Sequence, residues 1–162
     1  MFDWRHVARR TVASGAAAAG CFTVFSMLWF GIGAEGLWRP LNLIAHTLWR
    51  GAPTGGRWHA GAVLLALVVL LLVGVVVMAP FTFLAIGAGL GPAGMAAGGA
   101  VYANVLWIFG NYWIWPAFDP LAAHEFSPGV AWAGHMVAGL AGGSVLALTE
   151  YSPASIVAMV RQ

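Results

Sequence analysis

The sequence contains no lysine and few charged residues of any kind. Charged residues make up 7% of its 162 residues, whereas soluble domains contain about 25%. Between Arg57 and Asp119 there is no charged side chain over 61 residues. This scarcity of charge, together with 61% hydrophobic residues, excludes a disordered chain and a water-soluble globular core. A single cysteine, Cys21, excludes an internal disulfide.

Three charge-free runs are long enough to cross a lipid bilayer. Residues 11–34 and 126–149 flank the long central run, and a spanning helix needs about 20 apolar residues. Pro80 and the glycine-rich run from Gly87 to Gly94 are expected to break the central run into two helices. We therefore predict one domain over residues 1–162, an all-α integral membrane bundle of four transmembrane helices. The predicted spans are residues 11–33, 59–78, 93–112 and 129–148.

The N-terminal segment contains features of a bacterial export signal. Arg9 and Arg10 precede an alanine-rich run that ends at Cys21. The residues after Cys21 continue as an apolar segment to Phe30, without the polar tether that follows a lipoprotein cysteine. This continuation favours a first spanning helix that is retained in the membrane.

Residues 37–50 have the pattern of an amphipathic helix. At 100° per residue, one face carries four polar side chains, namely Arg39, Asn42, His46 and Arg50. The opposite face carries leucine and isoleucine. We expect this fifth helix to lie in the membrane interface, with its arginines toward water or headgroups.

Small residues spaced four apart predict where helix backbones approach closely. The third span carries one such pair and the fourth carries two, as in Gly94/Gly98, Gly134/Ala138 and Gly139/Gly143. The first span repeats the pattern in Gly15/Ala19 and Ala16/Gly20. These pairs predict a packed core of the first, third and fourth spans. The second span consists mainly of Val, Leu, Ala and Gly, and is expected to be peripheral and to face lipid.

An even number of spans places both termini on one side of the membrane. Four arginines on that side (Arg5, Arg9, Arg10 and Arg161) oppose three on the other (Arg39, Arg50 and Arg57). This difference favours cytoplasmic termini in a bacterial inner membrane. The first and third connectors then share the opposite face, which collects Glu35, His46, His59, Asp119, His124 and Glu125. Asp119 and Glu125 are expected to have ordinary access to solvent.

The histidines of this shared face are candidate metal ligands. His46, His59 and His124, with neighbouring carboxylates, are residue types that bind zinc, copper or iron. Their spacing matches no metal-binding motif. The alternative is that these histidines form hydrogen bonds to headgroups and water.

His135 is the one histidine expected well inside a spanning helix. Intramembrane ionisable side chains are costly and are often functional. Asn104 lies at a similar depth on the third span, and we predict that His135 and Asn104 face each other. One interpretation is that this contact only fixes the register of the two helices. The alternative is that His135 ligates a cofactor.

Two local resemblances bear on function. The segment Ala131-x-x-x-His135 resembles the pigment-binding helix of bacterial light-harvesting antenna polypeptides, which implies a haem or chlorin ligated by His135. The segment from Arg39 to Gly51, with Pro40, Asn42, His46 and Trp49, resembles a group of uncharacterised bacterial multi-pass membrane proteins, although Arg50 here precedes the glycine. That second resemblance implies an architecture and no particular activity.

Known catalytic motifs are missing from the sequence. No nucleophile with its base, zincin motif or P-loop is found, so an enzyme is disfavoured. The scattered arginines do not form a nucleic-acid footprint. We expect a small structural or accessory membrane subunit that contacts the lipid bilayer and either other subunits or further copies of itself. The alternatives are a cofactor-binding membrane protein, and a homo-oligomeric channel or transporter component.

Overall fold

The computed structural model describes residues 4–151, which form helices and no strand. Four helices within these described residues are long and apolar enough to cross a membrane, so the chain is a multi-pass membrane protein. The helices are α1 (Trp4–Ile32), α2 (Arg39–Leu48), α3 (Ala60–Gly87), α4 (Pro92–Phe109), α5 (Trp115–Phe118), α6 (Pro120–Glu125) and α7 (Pro128–Glu150). A π-helical turn, Gly110–Ile114, joins α4 to α5, and together they make the third span, Pro92–Phe118.

The second span does not end near Pro80, as the sequence suggested. Pro80 lies inside α3, which continues to Gly87. Proline removes one backbone donor and disturbs the neighbouring turn, and in membranes nearby side chains satisfy the carbonyl groups this leaves. The Thr82 hydroxyl donates to the Met78 carbonyl at 2.9 Å, and the Tyr102 hydroxyl of α4 donates to the Val77 carbonyl at 2.9 Å. Both carbonyl groups lie in the turn before Pro80, next to that of Val76, which the proline leaves without its helical donor.

Helix packing brings the first, third and fourth spans together and adds a close contact with the second span that was not predicted. Helix α7 packs between α4 and α1, and α1 packs on its other side against α3. The second span lies at the edge of the bundle, with a row of exposed leucine and valine side chains, and it touches α1 closely at Gly74. A Cβ atom added to Gly74 would lie 2.6 Å from the carbonyl oxygen of Gly15. Gly74 has no small residue four positions before or after it, so small-residue spacing did not single it out.

Buried apolar side chains form three clusters along the bundle. The cluster nearest the chain termini joins α1, α3, α4 and α7 around Met78, Met95 and Leu146. The other two lie nearer the opposite end, where Phe30, Leu43 and Phe126 pack together and α2 packs on α3. We call this opposite end the connector end, and define it as α2, residues 49–59, the π-helical turn, α5 and α6.

An ion pair joins the first and fourth spans at the end of the bundle where α1 begins and α7 ends. The guanidinium group of Arg10 in α1 contacts the carboxylate of Glu150 in α7, and the Arg10 side chain is buried. Arg161, the fourth arginine assigned to that side of the membrane, lies outside the described residues.

Candidate functional site

The polar face of α2 is turned toward the protein. Asn42 is fully buried, and its amide nitrogen donates to the carbonyl oxygens of Gly55 at 2.6 Å and Arg57 at 2.9 Å. Asn42 thereby holds the loop between α2 and α3. Loop carbonyl groups of the protein are therefore the partners of Asn42, and water or headgroups were expected only for the arginines of this face.

His46 and Arg50 converge on one buried carboxylate, that of Asp119. The Nδ1 atom of His46 lies 2.7 Å from Oδ2 of Asp119, and a guanidinium nitrogen of Arg50 lies 2.7 Å from Oδ1. The backbone N–H of Ala122 donates to Oδ1 at 3.1 Å, so Asp119 also caps helix α6. This arrangement ties the end of α2 to the connector between the third and fourth spans.

Asp119 is ionised across the physiological pH range. Burial disfavours its charge, but the hydrogen bonds from His46 and Ala122 and the positive charges of His46 and Arg50 outweigh burial and lower the pKa of Asp119. The expectation of ordinary solvent access was wrong for this residue, which is completely buried. The ionised carboxylate of Asp119 therefore connects α2 and the residue Arg50 that follows it to the start of α6.

Arg39 makes a second connection across the connector end. Its guanidinium group contacts the carboxylates of Glu35, at the end of α1, and Glu125, at the end of α6. The same group lies 5.8 Å from the ring centroid of Phe30. The polar residues of the first and third connectors are thus brought together, as the topology predicted.

The π-helical turn sets the direction of the residues that follow it. A π turn adds one residue to a helical turn, and so rotates everything beyond it by about 100° relative to a continuous α-helix. Beyond the turn, the indole N–H of Trp115 donates to the hydroxyl of Thr47 at 2.9 Å. Asp119 reaches His46 one turn later. The turn therefore directs the end of the third span toward α2.

The three candidate metal-binding histidines have separate roles. His46 binds Asp119, whereas Nδ1 of His59 accepts the backbone N–H of Ala62 at 3.2 Å and caps α3. His124 is exposed at the edge of α6. Within residues 4–151, no three side chains of metal-binding type are grouped as a metal site requires.

The predicted contact between His135 and Asn104 is not formed. The ring of His135 donates through Nδ1 to the carbonyl oxygen of Ala131 at 2.7 Å, and its edge meets the ring of Phe22 of α1. The amide of Asn104 bonds to the carbonyl of Ala100 and to the sulfur of Met136. The predicted helix pair is correct, but Asn104 meets the residue after His135, and His135 faces α1.

Gly139 and Gly143, one of the small-residue pairs predicted on the fourth span, meet the backbone of α4. A Cβ atom on Gly139 would overlap the carbonyl oxygen of Gly99, and one on Gly143 would overlap that of Met95. On α4 the predicted pair was Gly94 and Gly98. The glycine that lies at the crossing with α7 is Gly99, one residue after Gly98.

The remaining predicted packing residues contact other neighbours. An added Cβ at Gly94 would meet only Leu90 within 4 Å, and one at Gly98 would meet Phe81 of α3 at 3.4 Å. Gly134 packs under the ring of Phe22 of α1, where a Cβ would lie 2.8 Å from a ring carbon. Ala138 is buried in the cluster nearest the chain termini.

One face of α1 has no protein cover within the described part of the chain. Ala16 and Gly20 are exposed, and a Cβ atom added to Gly20 would meet nothing within 4 Å. An apolar groove of about 350 Å³ lies between α1 and α7 on one side, and another of about 270 Å³ lies between α1 and α3 on the other. Both grooves include Gly20 and Val24, so Gly20 lies on the line between them.

Sequence reasoning missed Asp119 as an organising residue. A signal was present, because Asp followed by Pro is a common helix start, with aspartate as the N-cap and proline in the first turn.

The comparisons with known proteins add no assignment, since the chain matches no family model, no curated protein and no solved structure.

Proposed function

We propose that this protein is a small accessory subunit of a membrane complex, and that it docks a partner helix on the exposed face of α1. The observation that carries the proposal is the line of Ala16, Gly20 and Val24 between two apolar grooves. The other α1 pair, Gly15 with Ala19, is already used against α3. The second pair has the same spacing and is left uncovered.

The shape of this face suits a helix as its occupant. Lipid tails are as apolar as the side chains, so helices associate in membranes by close packing at small residues. A partner helix crossing at Gly20 would place its own side chains in both grooves. A second copy of the chain is the alternative occupant, and the cross-linking experiment below separates it by mass.

We place the subunit in a bacterial cytoplasmic membrane with the N-terminal end of α1 on the cytoplasmic side. Arg5, Arg9 and Arg10 precede the apolar part of α1, and loops rich in arginine favour the cytoplasm. His124, at the other end, is expected to face the periplasm. A His124→Cys variant with Cys21→Ser should react with a membrane-impermeant maleimide in intact spheroplasts. Reaction only in inverted vesicles would reverse the orientation.

The docking proposal is tested by photo-cross-linking in intact membranes. A benzophenone amino acid at Val24, which is 58% exposed and lines both grooves, should give a discrete protein adduct. The same probe at Val101, which is 66% exposed on α4, serves as the comparison and should give none. An adduct of twice the subunit mass would indicate self-association.

A pair of glycine variants supplies the matched control. Gly20→Leu should remove the Val24 adduct, because the new side chain fills the crossing point. Gly87→Leu should preserve it, since Gly87 is also exposed, with nothing within 4 Å of an added Cβ. Adducts at both Val24 and Val101, or an adduct unaffected by Gly20→Leu, would contradict the proposal.

A further inference from the structure

We infer that the connector end is immersed in the lipid interface, with its exposed apolar side chains against lipid and the Asp119 carboxylate enclosed by protein. This inference is independent of the docking function of α1. It starts from the outer surface of the connector end, where large apolar side chains are exposed beside Arg50, Arg57 and His124. The Asp119 carboxylate and the side chains of Asn42 and His46 are directed inward.

The inward-facing side chains are held by protein partners. Asp119 and Asn42 are fully buried, and only about an eighth of the His46 side chain is exposed, at 12%. Arg39 is 20% exposed and contacts two carboxylates. A helix lying on the surface of the membrane would instead direct such residues to water.

The outward-facing side chains are large and apolar. Leu48, the last residue of α2, is 67% exposed, and Phe118, the last residue of α5, is 66% exposed. Leu121 of α6 and Trp49 are exposed as well. The carbonyl oxygen of Phe118 accepts a hydrogen bond from Arg50, so these residues surround the enclosed network. In water, each would leave a large apolar surface unburied.

The distribution of tryptophan favours lipid over a protein as the covering material. One exposed tryptophan accompanies each span at the connector end, namely Trp29 on α1, Trp58 before α3, Trp113 after α4 and Trp132 on α7. Tryptophan is enriched where hydrocarbon meets headgroups. A protein partner would cover one side of the bundle, whereas these four side chains belong to four different spans. The bilayer is the partner that reaches all of them.

Thiol accessibility in proteoliposomes tests this placement. We would reconstitute purified Leu48→Cys, Phe118→Cys and His124→Cys variants, each with Cys21→Ser, in phosphatidylcholine and phosphatidylglycerol. A membrane-impermeant maleimide is supplied to both faces, so the result does not depend on orientation. Leu48, Trp49, Phe118 and Leu121 form an apolar rim around the connector end. His124, whose side chain is 88% exposed, is the matched control outside this rim.

The two rim cysteines should react at least about tenfold more slowly than the His124 cysteine, because a thiol in apolar surroundings rarely ionises. All three should react alike after denaturation in SDS. Equal rates in the bilayer would overturn the inference. Protection in native membranes that is lost in proteoliposomes would also overturn it, since a protein would then be the cover.

The native protein provides a second measurement that needs no variant. Eight of the nine tryptophans lie between residues 29 and 132, on spans or connectors toward the connector end. Brominated lipids should quench their fluorescence strongly when bromine is near the headgroup end of the chain, and weakly when it is at the chain terminus. Absence of quenching at both depths would place the connector end in water.

Discussion

Replacement of Gly143 by leucine is expected to separate the third and fourth spans and to prevent stable folding. A Cβ at this position overlaps the Met95 carbonyl oxygen and would lie 3.0 Å from the Cα of Ala96, so the obstruction is backbone. Two helix backbones must move apart, and the contacts along the whole crossing weaken together. We expect a loss of at least about 3 kcal/mol, the upper end of overpacking costs.

SDS titration of the purified protein, followed by tryptophan fluorescence and circular dichroism, measures this loss. Gly87→Leu is the control, because it adds the same side chain to an exposed glycine with no neighbour within 4 Å. That control should unfold within about 0.5 kcal/mol of the parent protein, as is usual for exposed sites. Similar midpoints for Gly143→Leu and Gly87→Leu would show that the α4–α7 crossing is not as close as described.

The number and type of spans could be predicted from composition, because a bilayer imposes one length and one polarity on every crossing helix. Helix neighbours were harder to predict. Gly139 and Gly143 were found from their spacing, but Gly99 was missed by one residue and Gly74 altogether. Small-residue spacing predicts close approach without naming the partner, since each span carries several such faces.

The connector end shows a different limit of sequence reasoning. Periodicity placed Arg39, Asn42, His46 and Arg50 on one face of a helix over residues 37–50 and assigned its arginines to water or headgroups, whereas α2 ends at Leu48 and all four side chains have protein partners. A pattern of polar residues has the same period whether its partners are solvent or protein. The partners of α2 come from residues 55–57 and 118–125, and the direction of the latter depends on a π turn that has no clear signature in the sequence.

His135 illustrates the same limit inside the membrane. Its depth and helix were predicted, but its direction was wrong by roughly one residue, or about 100° around a helix. A side chain on a crowded helix can meet either neighbour, and α7 lies between α4 and α1. The contact with Phe22 and the hydrogen bond to Ala131 account for the histidine by packing and local hydrogen bonding.

Replacement of Asp119 by alanine is expected to release α2 from α6 and to destabilise the protein by about 3 kcal/mol. The carboxylate accepts hydrogen bonds from His46 and Ala122 and forms an ion pair with Arg50, and hydrogen bonds to charged groups contribute about 1.5–3 kcal/mol each. The total is smaller than their sum, because Arg50 is half-exposed and regains water. Glu125→Ala, which removes a more exposed carboxylate at the same end, should cost less than about 1 kcal/mol.

The contribution of Asp119 should also depend on pH, with a definite sign. The folded protein holds the pKa of Asp119 below its ordinary value of 3.8, so the unfolded chain takes up this proton first as the pH falls. The stabilisation is complete above the ordinary aspartate range, and is lost as the pH drops through the lower, folded value. Asp119→Asn cannot take up this proton, so its stability should fall less between pH 5 and pH 2. Since the other carboxylates are common to both proteins, the difference between the two curves isolates Asp119, and parallel curves would mean that its charge is not stabilised by His46 and Arg50.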